Sequence, residues 1–286
     1  LFPVTETPVP RSDVPGEVSS PTQPESRIPQ PYARQHLDES GLTDRTPEAH
    51  KWALEQFRTF HSEGPFAPLR LNQQTVVMPG FDGGAEWGGS AADAKRGILY
   101  LNANDIAWTG GLSEAASGGG LGAATYQNNC AACHGQDRAG SPPAFPSLIE
   151  AARRLTPDQI ADVIHTGRGR MPAFTSLDGD ALKALLEFLV TGKDADRKEA
   201  TDVAAAPARY KFTGYRKFLD PDGYPAVAPP WGTLNAIDLN TGRYLWRIPL
   251  GELPELAEKG LVTGSENYGG PIRTAGGLLF IGASQD

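Results

Sequence analysis

Apolar and polar positions follow different rhythms in different parts of this chain. After an opening rich in Pro, Ser, Thr and Glu, which lacks sustained periodicity over residues 1–45 and whose composition alone predicts disorder, helix signals begin at Thr46-Pro47-Glu48. A hydroxyl N-cap, Pro at the first helical position and an acid in the first turn predict a helix running to Phe57, with Trp52, Ala53, Gln56 and Phe57 on one face. Residues 74–108 read as β: Thr75–Met78 stopped by Pro79-Gly80, a turn signal at Gly83-Gly84, then Ser90–Asp93 and Gly97–Asn102 split by Ala94-Lys95-Arg96. Gly110-Gly111 and Gly118-Gly119-Gly120 predict a flexible linker.

Residues 121–192 change to helical spacing. A short helix spans Leu121–Asn129, a second is capped by Thr156-Pro157-Asp158 with Ile160, Val163 and Ile164 apolar, and a third spans Asp178–Val190 with Leu182, Leu185, Leu186 and Leu189 in register before Gly192. A charged stretch over 193–197 and Ala204-Ala205-Ala206-Pro207 predict a second linker. The β rhythm then returns. Ala236-Ile237-Asp238-Leu239-Asn240-Thr241-Gly242-Arg243-Tyr244-Leu245-Trp246 reads as a hairpin, and Thr274–Phe280 as a turn and strand. Ala92-Asp93…Gly97–Tyr100 weakly echoes Ala236–Trp246, as if one unit repeats, and short strands repeating with a turn and an aromatic cue suggest a propeller. β, then helix, then β is the pattern of a helical module inserted into a loop, here expected between two blades.

Composition sharpens this picture. Only 39% of residues are hydrophobic, while Gly (33) and Pro (25) are abundant, which favours short strands and long ordered loops over a helical bundle. A net charge of −8 gives nucleic acid no electrostatic reason to bind. No stretch approaches the ~20 apolar residues of a membrane span. Because the chain begins at Leu1 and stops just after the apolar run Leu278–Ile281, it is expected to be a segment of a longer protein, in which missing parts supply any signal or membrane association.

The chemistry concentrates in Cys130-Ala131-Ala132-Cys133-His134. Both cysteines of the chain are in this motif. The C-x-x-C-H spacing attaches a c-type haem: each thiol bonds one porphyrin vinyl group and His134 becomes the proximal iron ligand. The adjacent His, with no second C-x-x-C, argues against zinc and against a thioredoxin-like pair. Met171, one of two methionines, sits in Gly169-Arg170-Met171-Pro172 and is the expected distal ligand. The competing readings are a gap-filling core Met and ligation by His165 instead. Met78 is expected in the core, and His50 and His61 on the surface.

Residues 121–192 resemble a small class I cytochrome c domain, through Cys130–Gly135, Pro146-Ser147-Leu148, Gly169–Pro172 and the final amphipathic helix. The resemblance implies that the Pro146 carbonyl accepts a hydrogen bond from the ligating imidazole, with Pro143 the competitor. Arg168 or Arg170 would pair with a haem propionate, or simply be solvated loop charges.

The flanks resemble the pyrroloquinoline quinone (PQQ) dehydrogenases, in particular the membrane glucose dehydrogenase branch. The likeness covers roughly 1–110 and 209–286. It rests on Phe81-Asp82-Gly83-Gly84-Ala85-Glu86-Trp87-Gly88-Gly89, Leu99–Asp105, Pro230-Trp231-Gly232-Thr233-Leu234-Asn235-Ala236-Ile237-Asp238 and Glu266-Asn267-Tyr268-Gly269-Gly270-Pro271. The Pro-rich opening resembles a loop of the same branch, which revises the reading of disorder. The fold implied is mixed: all-β blades of a partial eight-bladed propeller (1–112 and 197–286, the latter with its linker) interrupted by an all-α cytochrome c domain (113–196).

The resemblance also implies PQQ and Ca²⁺ in the complete protein, a catalytic Asp earlier than Leu1, and a small sugar or alcohol substrate. A downstream cytochrome or quinone would accept the electrons, outside the cytoplasmic membrane, in the periplasm. Glu86 and Asn102 match positions facing the cofactor, with Trp87 and Asn267 as further candidates. The competing roles are a solvated charge for Glu86, a blade-end cap for Asn102 and inter-blade packing for Trp87. An inserted haem departs from membrane glucose dehydrogenases and points toward a quinohaemoprotein. The alternative is a non-catalytic electron-transfer cytochrome c carried on a propeller docking scaffold.

Overall fold

A computed structural model describes residues 2–85, 87–114, 120–142, 145–149, 151–193 and 209–282. The chain divides into two compact units, Leu1–Thr109 with Lys217–Asp286, and Gly110–Arg216.

In the first unit the Pro-rich opening is an antiparallel hairpin, β1 (Val4–Pro8) with β2 (Thr22–Ser26), so its composition misleads about order. Helix α1 (Pro47–Phe57) starts where the capping signals place it, with the Thr46 side chain accepting the Ala49 N–H at 3.1 Å. Strand β3 (Thr75–Val77) follows, then β4 (Ala91–Asp93), β5 (Ile98–Asn104) and β6 (Trp108–Gly110). After residues 111–215 come β9 (Arg216–Lys217), β10 (Gly232–Asp238), β11 (Arg243–Pro249), the short helix α6 (Pro254–Ala257), and the hairpin β12 (Ile272–Arg273) with β13 (Leu279–Phe280).

The central sheet is four-stranded and antiparallel, in the order β11-β10-β5-β4. Seven residue pairs join β10 to β5, from Gly232 opposite Asn104 to Asp238 opposite Ile98. Two sequence expectations change here. The echo between Ala92–Tyr100 and Ala236–Trp246 is not a repeat of whole blades; the two segments are adjacent hairpins of one sheet. Residues 105–231 therefore leave from the middle of a sheet, between its second and third strands, rather than from a loop between blades. Ala103, Ala236, Asn235 and Ile237 are buried, whereas Trp246 and Ile248 on the outer strand are exposed. Met78 is buried, as expected of a core residue. His50 and His61 are half-buried rather than on the surface, His50 through an Nδ1 contact with the Thr43 carbonyl at 2.9 Å.

Gly110 and Gly111 are buried and end β6, so they are not a flexible linker. The stretches 115–119 and 194–208, expected as linkers, lie outside the described residues except for Gly120 and Lys193. The second unit opens with β7 (Leu112–Glu114), which pairs with β8 (Tyr210–Phe212) near its other end. Between them lie α2 (Leu121–Asn129), the single turn α3 (Ala131–His134), α4 (Pro157–Thr166) and α5 (Gly179–Thr191). Thr156 and Gln159 form a reciprocal capping box on α4, and Gly192 ends α5 in the left-handed conformation at φ 72°. Helices α2 and α5 cross where Gly122 meets the Ala184 carbonyl; a Cβ there would lie 2.3 Å from that oxygen. Tyr126, Cys130, Ala131, Ile160, Ile164, Leu185 and Leu189 form this unit's buried apolar cluster.

Candidate functional site

In the second unit, α3 presents the motif. Cys130 is buried at its start and Cys133 is half-buried one turn later. His134 is buried, and its Nδ1 lies 2.8 Å from the Pro146 carbonyl oxygen. A carbonyl can only accept, so Nδ1 carries the proton and Nε2 keeps its lone pair for a metal. Burial pushes the imidazole pKa down, partly offset by the Pro146 bond, so the ring is neutral, the form in which it ligates. Burial pushes the Cys130 thiol up to about 12 and the Cys133 thiol up as well. Fully buried Tyr126 lies one turn before Cys130 and donates its hydroxyl to the Gly135 carbonyl at 2.6 Å, fixing the peptide that follows the imidazole.

Met171 packs against the same apolar cluster as Cys130 and Ala131. Its loop is a tight bridge in which Arg168 and Met171 exchange both backbone hydrogen bonds at 3.0 Å. The alternative ligand His165 has its Nε2 against the Leu177 carbonyl at 2.8 Å. Arg168 and Arg170 are exposed, and Pro143 lies outside the described residues. Among the described residues no group of three or more His, Cys, Asp and Glu side chains converges to hold a bare metal ion. Paired thiols, one imidazole nitrogen left free and a thioether in the same apolar shell fit a porphyrin, which brings its own four nitrogens to the iron.

In the first unit, three separated motifs converge at one end of the central sheet. Asn102 and Asn104 leave the end of β5, and both side-chain amides donate to the Asn267 carbonyl, at 2.8 and 3.3 Å. The Asn267 N–H returns a 2.8 Å bond to Asn104 Oδ1, and Asn267 Oδ1 accepts from the Gly269 N–H at 2.8 Å. The loop of Gly88 meets Gly270 backbone to backbone: a Cβ at Gly88 would lie 2.5 Å from Gly270 N. Only glycine permits such an approach. Tyr268 donates to Asp82 Oδ2 at 2.6 Å, tying the two loops again. Next to Asn267, Glu266 forms an ion pair with Lys217, whose ammonium lies 5.3 Å from the centre of the buried Trp108 ring.

Asn102 Oδ1 is buried and has no hydrogen-bond partner among the described residues. Because Nδ2 donates to a carbonyl, the amide orientation is settled and the orphan is an acceptor. Such an oxygen fits a hard cation or an N–H or O–H donor, the two kinds of partner that a quinone cofactor with its divalent ion would bring. Trp87 is 88% exposed, and Glu86 lies outside the described residues. The sequence did not reveal the Lys217–Glu266 pair, because nothing local marks either residue.

The sequence pattern of the PQQ family described as "Glucose/ethanol/alcohol dehydrogenase, beta-propeller domain" matches residues 1–160 and 169–286. The chain belongs to this family. Its relatives include the glycerol dehydrogenase large subunit of Gluconobacter thailandicus, 27% identical over all of this chain and 32% of its own. The quinoprotein glucose dehydrogenase of Gluconobacter oxydans is 25% identical over all of this chain and 29% of its own. The chain thus spans about a third of the length of these curated relatives. Cytochrome c-555 of Methylococcus capsulatus is 42% identical over 48 residues, 17% of this chain and 38% of its own. No solved structure matches. Among the described residues no helix is long and apolar enough to cross a membrane.

Proposed function

We propose that the chain is part of a quinohaemoprotein dehydrogenase that oxidises a small sugar or alcohol in the periplasm and passes the electrons out through haem c. In this reading PQQ and Ca²⁺ belong to the propeller of the complete protein and supply the two-electron oxidation of a hydroxyl-bearing carbon. Asn102, held by the Asn267 carbonyl, offers Oδ1 to that assembly, and Glu86, from the Gly-rich segment 81–89, is the second candidate contact. Cys130 and Cys133 tether the haem, His134 is the proximal ligand and Met171 the distal one; a thioether ligand raises the haem potential and suits electron transfer. A cytochrome or quinone takes the electrons onward.

The observation that carries this reading is the His134–Pro146 hydrogen bond. It fixes the tautomer a ligating imidazole needs, within a C-x-x-C-H turn carried by a dehydrogenase-family chain. The test is to mature the full-length protein with haem, add PQQ and Ca²⁺, and follow dye reduction with glucose, glycerol and simple alcohols. PQQ-dependent turnover is expected; none with any substrate refutes the enzyme reading. For the axial pair, oxidised wild type should show the weak sulfur-to-iron charge-transfer band, and Met171→Ala should lose it. A wild type without that band refutes Met171 as ligand.

A further inference from the structure

The central sheet of the first unit carries an open cleft of about 380 Å³, a volume within the range of small-molecule sites. Its polar lining belongs to the face away from Asn102. Along β10, Thr233 pairs with Pro249 and Asn235 with Arg247, whereas Leu234 pairs with Asn102. Successive residues of a strand point to opposite faces, so Thr233, Arg247 and Pro249 share one face and Asn102 belongs to the other. Pro229, Pro230 and Pro249 give the cleft apolar walls.

Its charged groups are Arg34, Arg247 and Asp105. The buried Asp105 carboxylate is taken by Arg34: Oδ1 accepts the Arg34 backbone N–H at 3.1 Å and Oδ2 accepts Nε at 3.0 Å. Arg34 Nη2 donates to the Asp105 and Ala228 carbonyls, at 3.2 and 2.7 Å. Arg34 and Asp105 therefore neutralise each other and fix one wall. Arg247 is the surplus cation. Its Nη2 donates to the Tyr32 carbonyl at 2.5 Å and lies 4.0 Å from Asp105 Oδ2, too far for a hydrogen bond. Arg247 Nε and Nη1 have no partner among the described residues. Thr233 is buried as well; its hydroxyl accepts from Asn235 Nδ2 at 3.0 Å, and the hydroxyl hydrogen has no acceptor among the described residues.

Two cations and one anion leave the lining with one positive charge in excess, beside unspent N–H and O–H donors. A guanidinium fork matches the two oxygens of a carboxylate. A single negative charge balances the cleft, and the proline walls suit carbon rather than further charge. We propose that this cleft binds a small organic monocarboxylate, with Arg247 pairing with the carboxylate, Thr233 donating its hydroxyl to it, and the carbon skeleton lying against the prolines. The site is separate from the Asn102 end of the sheet and does not depend on the quinohaemoprotein reading.

The test is titration calorimetry of the full-length protein, with PQQ and Ca²⁺ added, using cyclohexanecarboxylate as the probe. Saturable binding is expected, weakened roughly tenfold in Arg247→Met, which keeps the aliphatic stem. The neutral cyclohexanecarboxamide should not bind. A wild type that does not bind the probe overturns the proposal, as does undiminished binding in Arg247→Met or equal binding of the amide. Inorganic phosphate that displaces the probe at equal concentration overturns the organic class, leaving a general anion site. Binding seen only without PQQ overturns a separate site, since the cleft would then belong to the cofactor. Should Arg247→Met fail to fold, labelling of wild type with phenylglyoxal and peptide mass mapping takes its place. The probe must then protect Arg247, and an unchanged labelling rate overturns the proposal.

Discussion

The Lys217–Glu266 pair offers a demanding test of the first unit. The Lys217 and Glu266 side chains are only 9% and 5% exposed, so neither charge is solvated once its partner is gone. Replacing Lys217 by Met keeps the aliphatic stem and takes the ammonium away from the buried Glu266 carboxylate, and removing one partner of a buried pair costs about 3–5 kcal/mol. For a unit of this size that is a fall in melting temperature of about 6–20 °C. Intrinsic fluorescence isolates the event, because all five tryptophans (Trp52, Trp87, Trp108, Trp231 and Trp246) lie in the first unit and none in the second. Trp108 sits directly under the ammonium and should report the loss before global unfolding. The double variant Lys217→Met/Glu266→Gln removes the opposing charge as well and should recover most of the loss, giving a large coupling energy in the cycle. A single-variant cost below about 1 kcal/mol, the range of exposed pairs, would refute the reasoning, as would a double variant less stable than Lys217→Met.

Other outcomes follow from the same structure. Gly122→Ala places a methyl group 2.3 Å from the Ala184 carbonyl and must push α2 off α5, at a cost of about 1–3 kcal/mol; thermal melting followed at the haem Soret band measures it, and an unchanged melt refutes the close crossing. In the β10–β11 turn, the Asn240 backbone N–H and then the Thr241 hydroxyl hold the Asp238 pKa below its ordinary 3.8. Its folded pKa is the lower one, so this stabilisation is complete above pH 3.8 and is lost as pH falls through the folded value. Acid unfolding followed by tryptophan fluorescence should lose that component in Asp238→Asn; an identical acid limb would show that the turn contributes nothing.

Local signals were legible in the sequence, and non-local pairings were not. Thr46, Thr156 and Gly192 mark helix ends by chemistry confined to one turn, and the helices begin and end beside them. The spacing of the C-x-x-C-H turn marks it directly, whereas the Pro146 contact was legible only through the resemblance to class I cytochromes c, which left Pro143 as a competitor. Blade membership depends instead on which strands pair across long separations. Ala92–Tyr100 and Ala236–Trp246 look alike because hairpins of one sheet and of successive blades carry the same alternation and turn residues; only the β5–β10 register tells them apart. The Pro-rich opening misleads because its order comes from pairing Val4 with Ser26, not from burial of its own apolar residues. The Asn102–Asn267 and Lys217–Glu266 contacts form when loops distant in sequence fold together, and no local pattern announces them.

Placing an excursion in the middle of a sheet sets a condition on how that excursion must fold. β5 and β10 pair along seven residues although residues 105–231 lie between them. Were that segment slack, closing it would cost the sheet the entropy of a loop of more than a hundred residues. The β7–β8 pairing removes part of that cost: Leu112 pairs with Phe212 and Thr213 bonds to Gly111 at 2.9 Å, so only the segments outside this pairing remain to be closed. Loop entropy grows as the logarithm of length, and shortening the effective loop about fivefold, from residues 105–231 to residues 105–111 and 213–231, is worth about 1.4 kcal/mol. Tyr215, just after β8, also bonds through its N–H to the Ala132 carbonyl of the C-x-x-C-H turn. In the proposed reading, haem attachment stabilises that turn and, through Tyr215 and the Gln136 bond to the Phe212 carbonyl, the β7–β8 pairing as well.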